Sequence, residues 1–194
     1  MADKSSLQGM KIACLAMNGF EWAELSDPKK AFEELGAKVD VISDGEGRDA
    51  GEIYGMNHHD KAGTVKVDKS FADARANDYD AVLLPGGALN ADAIRAVHQA
   101  QQFVKDADKS GMPIAVICHA PWLLVSAGLV KGRTLTSWPT IQDDVKNAGG
   151  NWVDKEVNVD KNWVSSRKPA DIPAFNREAI ALFEQWRQSG SKAA

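Results

Sequence analysis

The amino-acid sequence predicts an α/β protein in which a mainly parallel sheet lies between two layers of helices. Short apolar runs alternate with amphipathic stretches along the chain, which is typical of repeated strand–helix units. No internal repeat, linker or low-complexity segment interrupts this alternation. Since 194 residues is near the usual size of one domain, we expect a single domain over residues 1–194, with its core at about 10–187 and short flexible termini.

The predicted strands are short apolar runs bounded by turn residues. They cover residues 10–17, 38–43, 64–67, 79–84, 113–117 and 135–138, with two further short strands around Glu156 and Trp163. Between Asp44 and Asp60, glycine, charged residues and paired histidines replace any periodicity. This segment therefore indicates a loop or a small hairpin that continues into the strand at 64–67.

The predicted helices follow from capping residues and from apolar residues at helical spacing. Ser26-Asp27-Pro28 offers an N-cap followed by proline at the first helical position, and Gly36 suits the C-cap of the same helix. One long helix is indicated by residues at helical spacing that mark one of its faces, namely Ile94, Val97, Gln101, Val104 and Ala107. The remaining helices are predicted at 122–129, 140–148 and 173–188.

Composition excludes several classes of function. A formal net charge of −4 with no basic cluster gives no surface suited to nucleic acid or to an anionic membrane. The first residues contain no apolar segment typical of a signal peptide, and no later run has the length of a membrane span. We therefore expect a cytoplasmic protein.

The two cysteines occupy different positions in this pattern. Cys14 lies in the middle of an apolar strand, where a thiol is desolvated and inert, so we assign it to the core. Cys118 lies where the strand at 113–117 passes directly into a helix, which is the position of a nucleophile elbow. There the helix N-terminus favours the thiolate. The alternative is that Cys118 is a small buried apolar residue, the common fate of a free cysteine.

Other candidate residues each have two interpretations. Gly86 and Gly87 follow a strand, so a backbone N–H there and that of His119 could form an oxyanion hole, or the glycines could form an ordinary turn. His58, His59 and Asp60 could bind a metal, but paired histidines in a polar loop are more often simply exposed. We predict no metal site and no cofactor. Trp22 and Trp138 are candidates for the wall of a pocket, the alternative being that they belong to the core or to an interface.

Four motifs occur in order along the chain: GFEWAEL at 19–25, LLPGG at 83–87, AVICHAPWLL at 115–124 and WVSSRKPADIPAF at 163–175. Together they resemble the ThiJ/PfpI superfamily, and most of all its PfpI-type branch of intracellular cysteine peptidases and stress proteins. The resemblance covers residues from about 10 to 186. It implies a flavodoxin-like fold similar to the class I glutamine amidotransferases, but those enzymes take a base from a C-terminal histidine, and no histidine follows His119 here.

The resemblance also implies roles for individual residues. Cys118 matches the nucleophile, and Glu21 matches an acidic residue that donates a hydrogen bond to its sulfur and lowers its pKa. His119 matches a histidine of a Cys-His-acid arrangement, although adjacent side chains diverge and His119 could instead point toward a partner subunit. The matching acid is Asp92, supplied by a neighbouring protomer of a homodimer or hexamer, or else a helix N-cap.

Three functions are compatible with a reactive Cys118. The first is glutathione-independent glyoxalase or deglycase chemistry on small carbonyl compounds and on the proteins or peptides that they glycate. The second is peptide hydrolysis, which needs a well-placed general acid because an amine must be expelled. The third is a redox-sensing or chaperone-like stress protein in which Cys118 is oxidised. We favour the first, because an aldehyde needs little besides a thiolate and one carboxyl group.

Overall fold

The structure is a computed structural model that describes residues 5–44 and 51–190. Its strands are β1 Lys11–Leu15, β2 Phe20–Glu21, β3 Lys38–Ile42, β4 Glu52–Asn57, β5 Asp60–Lys66, β6 Ala81–Leu84, β7 Ile114–Ile117, β8 Thr134–Leu135, β9 Asn151–Trp152, β10 Val157–Asp160 and β11 Trp163–Ser166. Its α-helices are α1 Trp22–Glu34, α2 Ala88–Arg95, α3 His98–Lys109, α4 Pro121–Ser126, α5 Gln142–Asn147 and α6 Ile172–Gln188.

The central sheet has six strands in the order β10-β11-β7-β6-β1-β3. Every pair in it is parallel except the edge pair β10 and β11. This confirms the α/β fold with a mainly parallel sheet. Because β6 and β7 are neighbours, the turns that follow both strands lie at the same edge of the sheet, where ligands bind in open α/β folds.

Successive side chains of each strand enter two separate apolar layers. On β1, Ala13 and Leu15 face the layer that packs against α3 and α4, whereas Ile12 and Cys14 face the layer that packs against α1 and α6. Cys14 is fully buried, and burial raises the pKa of its thiol to about 12. Cys14 is thus a core residue, as its position within an apolar run predicts.

Two predicted helix boundaries are wrong. Helix α1 begins at Trp22, so Pro28 lies inside it and not at its first position. The short strand β2 pairs with β4 and ends at Glu21, which fixes the start of the helix more strongly than the Ser26-Asp27-Pro28 signal. The predicted long helix is divided into α2 and α3 by a break at Ala96 and Val97, since Val97 has an extended backbone.

The segment predicted as a loop or small hairpin contains a hairpin formed by β4 and β5, and residues 45–50 lie outside the described part of the chain. With β2 it forms a separate three-stranded sheet. Gly55 and Gly63 let it lie against the ring of Trp22, because a Cβ atom at either position would come within 3.0 Å of that ring. The hairpin thereby carries its tip, His58 and His59, over the edge of the central sheet.

Within the described residues, no helix is both long and apolar enough to cross a membrane.

Candidate functional site

Cys118 occupies a strained turn between β7 and α4. Its φ angle is +63°, a left-handed conformation that residues other than glycine rarely adopt. The turn is held on both sides, because the Cys118 N–H donates to the Ser166 carbonyl at 3.0 Å and the Cys118 carbonyl accepts from the Trp138 N–H at 2.9 Å. The structure therefore has the elbow that the junction of strand and helix predicts.

The carboxyl group that contacts the Cys118 thiol belongs to Glu24. This side chain is fully buried beside Cys118; its Oε2 accepts the Gly86 N–H at 2.9 Å, and its Oε1 is buried without a hydrogen-bond partner among the described residues. Burial raises the pKa of Glu24 to about 8. Glu24 is consequently protonated at neutral pH, and its O–H can donate to sulfur.

Glu21, predicted to make this contact, lies at the mouth of the same cleft instead. Its Oε2 accepts the His58 N–H at 3.3 Å and is 3.9 Å from His58 Nδ1. The prediction was wrong because the true start of α1 makes Glu21 the N-cap residue and places Glu24 in the first helical turn. From that turn Glu24 extends toward the loop after β6, where Gly86 binds it.

The predicted lowering of the Cys118 pKa is also wrong. Burial of the sulfur, which belongs to a residue only 6% exposed, and then the charge of an ionised Glu24 raise the pKa of this thiol. Hydrogen bonds from the backbone N–H groups of Gly87 and His119 act in the opposite direction. The thiol is therefore protonated in the resting site, and thiolate formation needs a base nearby.

His119 is placed to be that base. Its Nδ1 lies 3.2 Å from Cys118 Sγ, so the expectation that the two adjacent side chains diverge is wrong. The left-handed turn at Cys118 accounts for this, because it removes the alternation that extended backbone imposes. The His119 ring stacks on Trp138 with centroids 5.8 Å apart, and burial lowers its pKa. A neutral imidazole at neutral pH can accept the thiol proton.

The two glycines of the β6 turn have different tasks. Gly86 positions Glu24, whereas the N–H of Gly87 points at the sulfur together with that of His119. These last two donors are suited to an oxyanion that forms next to sulfur. Gly87 has a φ of +88°, and a Cβ atom there would lie 2.4 Å from the Gly19 carbonyl oxygen, so only glycine fits.

Asp92 is not brought to His119 within one chain. It is exposed on α2, and the N-cap of that helix is Gly87, so the alternative role of Asp92 as N-cap is wrong.

Asn90, two residues before Asp92, is fully buried, and its side chain accepts the Met17 N–H at 2.6 Å. Its amide group also donates to the carbonyls of Pro85 and Gly86, both at 2.9 Å. Asn90 thus fixes the turn that carries both glycine donors.

A cleft of about 340 Å³ opens above the thiol. Its lining residues are Glu21, Glu24, His58, His59, Gly87, Ala88, Cys118, His119, Trp138 and Pro169. Trp138 forms part of its wall, as predicted, whereas Trp22 stacks on Phe20 under the hairpin. A larger groove of about 650 Å³ between α3 and residues 71–77 contains no cysteine or histidine, so chemistry and not volume identifies the site.

Sequence reasoning missed Glu24, Asn90 and the histidines of the hairpin as parts of this site. The helix predicted from Pro28 left Glu24 outside it, so the sequence pattern gave no reason to place that side chain at the thiol. The sequence around His58 and His59 did not indicate that they line the cleft, because only the packing of the hairpin brings them there. Among the residues described, no group of three or more potential ligands could hold a metal ion.

A free cysteine on a strained elbow, with a neutral histidine and a protonated acid at its sulfur, defines an α/β protein built for cysteine-based nucleophilic chemistry. The family model for the DJ-1/PfpI family matches residues 10–182. The chain belongs to the DJ-1/PfpI family.

Individual relatives agree with this assignment. The chain is 43% identical to a deglycase of Thermococcus kodakarensis over 173 residues, which cover 89% of this chain and 99% of the relative. It is 40% identical over 174 residues to a Bacillus subtilis protein provisionally named a cysteine protease, covering 90% and 98% of the two chains. A ThiJ/PfpI domain protein of Brachyspira murdochii has the same fold, with a TM-score of 0.80 at 20% identity over 94% of this chain and 99% of that one.

Proposed function

We propose that the protein is a Cys118-dependent enzyme that destroys reactive carbonyl compounds and reverses their early adducts with amines and thiols. The observation that carries the proposal is the 3.2 Å contact of Cys118 Sγ with a neutral His119 that can take its proton, beside a buried, protonated Glu24 whose free carboxyl oxygen can donate to sulfur. The relative from Thermococcus kodakarensis is named a deglycase, which supports the same chemistry.

The proposed reaction with a methylglyoxal adduct balances without an external oxidant. His119 takes the thiol proton, and the sulfur of Cys118 attacks the carbon that carries the hydroxyl and amine groups. The carbon–nitrogen bond breaks, and the amine leaves with a proton from His119. The product is a hemithioacetal on Cys118, with its hydroxyl oxygen near the N–H groups of Gly87 and His119.

An internal proton transfer then completes the chemistry. A proton moves from the sulfur-bearing carbon to the adjacent ketone carbon through an enediol, with His119 and Glu24 as the available carriers. The first carbon is thereby oxidised and the second reduced. Water cleaves the resulting thioester, which releases lactate and restores the thiol. Free methylglyoxal enters the same sequence at the hemithioacetal.

Peptide hydrolysis is the second candidate, and the 3.2 Å contact between His119 and Cys118 favours it as well. A peptidase must place an extended backbone across the nucleophile and hold a third group on the histidine. Within residues 5–44 and 51–190 of one chain, no acid is bonded to His119, and we propose that Asp92 of a neighbouring protomer fills this role in a homodimer or hexamer. A cleft of about 340 Å³ suits a small carbonyl adduct better than a peptide.

The test is lactate formation from methylglyoxal without glutathione, by the wild type and by the Cys118→Ala variant. Cys14→Ala is the matched control, since it removes the other thiol from the core. We expect lactate from the wild type and from Cys14→Ala if that variant folds, and none above background from Cys118→Ala. Equal activity of the wild type and Cys118→Ala would refute the proposal. We place the enzyme in the cytoplasm, because this chemistry requires a reduced thiol.

A further inference from the structure

The cleft above Cys118 carries a charge pattern that the reaction itself does not require. Glu21 lines its mouth although it is only 8% exposed, and Glu24 lies deeper beside the thiol. Of the described residues that line the cleft, none is lysine or arginine. A substrate that enters therefore meets carboxyl groups and imidazoles, with no fixed positive charge.

The backbone of Glu21 is fixed in place, but its carboxylate accepts fewer hydrogen bonds than it can. Its backbone N–H donates to the Gly86 carbonyl at 3.2 Å, which fixes the residue beside the β6 turn. Its carboxylate accepts one long hydrogen bond, from the His58 N–H at 3.3 Å, and is 3.9 Å from the imidazole of an exposed His58 side chain. A carboxylate can accept about four hydrogen bonds, so Glu21 retains capacity for a donor that enters the cleft.

The negative charge of Glu21 also acts inside the cleft. Burial and, to a smaller extent, the charge of Glu21 raise the pKa of Glu24. Glu24 in turn lies beside the nucleophile, and its charge affects the pKa of the Cys118 thiol. A cation bound at Glu21 therefore lies within electrostatic range of the reacting groups, and an anion entering the same space is repelled.

Trp138 supplies a second feature suited to one kind of cation. Its indole lines the same cleft and is already stacked on His119. A guanidinium group is planar, donates two parallel hydrogen bonds to a carboxylate and stacks on aromatic faces, whereas an ammonium group does neither as well. Glu21 and Trp138 together offer both of these contacts at the entrance to the thiol.

We propose that Glu21 is a specificity residue that selects carbonyl adducts carrying a positive charge, above all the guanidinium of adducted arginine. This inference rests on the proposed function. The guanidinium binds the Glu21 carboxylate against Trp138, next to His58, whose Nδ1 lies 3.9 Å from the same carboxylate. Adducts of thiols, which are neutral, enter without this interaction.

The test compares two substrates that differ in charge. They are the early methylglyoxal adducts of Nα-acetylarginine amide and of Nα-acetylcysteine amide, with lactate release as the readout. The enzymes are the wild type, Glu21→Gln and, as a matched control, Glu52→Gln, which makes the same change at an exposed position of β4. We expect Glu21→Gln to raise KM for the arginine adduct about tenfold, with kcat within about twofold. The cysteine adduct and the Glu52→Gln control should change by less than about twofold.

Equal effects of Glu21→Gln on both substrates would overturn the inference and leave the proposed function standing. An absence of Cys118-dependent turnover of either adduct by the wild type would overturn both. If Glu21→Gln does not fold, the salt dependence of the wild type's substrate preference tests the inference instead. Its preference for the arginine adduct should fall as salt rises from about 20 to 500 mM, since screening weakens an ion pair at a cleft mouth. A preference that is absent or independent of salt refutes a role for charge.

Discussion

Glu24→Gln should make the protein more stable than the wild type at high pH, and by an amount that grows with pH. Glutamine has the shape of a protonated glutamic acid. It can therefore keep the acceptor for the Gly86 N–H and a donor toward Cys118, but it cannot ionise. In the wild type, burial raises the Glu24 pKa from 4.5 to about 8. The folded state therefore binds this proton more tightly than the unfolded chain does.

The sign and size follow from proton linkage. A raised folded-state pKa gives stability that is fully present below pH 4.5 and is lost as pH rises through about 8. At about 1.4 kcal/mol per pH unit, the loss between pH 5 and pH 9 is about 4 kcal/mol. The variant avoids this loss, so its free energy of unfolding relative to the wild type should rise by about 4 kcal/mol over that interval.

The assay is urea denaturation of both proteins at several pH values from 5 to 9. Glu34→Gln is the matched control, because Glu34 lies on the exposed face of the same helix and pairs only loosely with Lys30 at 3.9 Å. Its difference from the wild type should stay within about 0.5 kcal/mol at every pH. A difference between Glu24→Gln and the wild type that is flat across this range would show that Glu24 ionises normally, and the argument for a protonated donor would fail.

Three further predictions concern the rest of the site. The pKa of His119 is lowered, so kcat/KM should stay level near pH 7 and fall only below the ordinary histidine value of 6.5; a fall centred above 6.5 would contradict a neutral base. Gly87→Ala should lose more than about 1 kcal/mol of stability in urea denaturation, and most activity, because the new Cβ meets the Gly19 carbonyl; unchanged values would contradict the need for glycine. In light scattering the mass should be a multiple of 21.0 kDa, and Asp92→Asn should lower kcat without dissociating the assembly. A monomer with full activity would exclude a contribution in trans.

The sequence predicts the sheet and the nucleophile well because both depend on local patterns. Continuous apolar runs mark buried parallel strands, and a cysteine where such a run enters a helix marks the elbow at Cys118. The start of α1 depends instead on β2, whose pairing with β4 joins segments more than thirty residues apart. The Pro28 signal was therefore misleading, and it left Glu24 outside the predicted helix.

The local sequence could not predict where the β4–β5 hairpin packs, for a similar reason. Its approach to the cleft depends on Gly55 and Gly63 resting against Trp22, which is a tertiary contact between distant parts of the chain. Paired histidines in a polar segment are compatible with an exposed loop, and both side chains are indeed exposed. Only the packed structure shows that His58 is also a neighbour of Glu21.

Glu21 and Glu24 illustrate how one helix start can give two acids different tasks. They lie three residues apart and line one cleft, but Glu24 is enclosed beside sulfur while Glu21 reaches the mouth and a histidine. An enclosed acid that is protonated can hydrogen-bond a thiolate during catalysis. It could equally stabilise the sulfinate of an oxidised Cys118, so this contact alone does not separate catalysis from redox sensing. Glu21 does separate them, because peroxide carries no positive charge. Glu21→Gln should leave the rate of Cys118 oxidation by peroxide within about twofold while it impairs turnover of arginine adducts, and mass spectrometry of the Cys118 peptide measures the first rate directly.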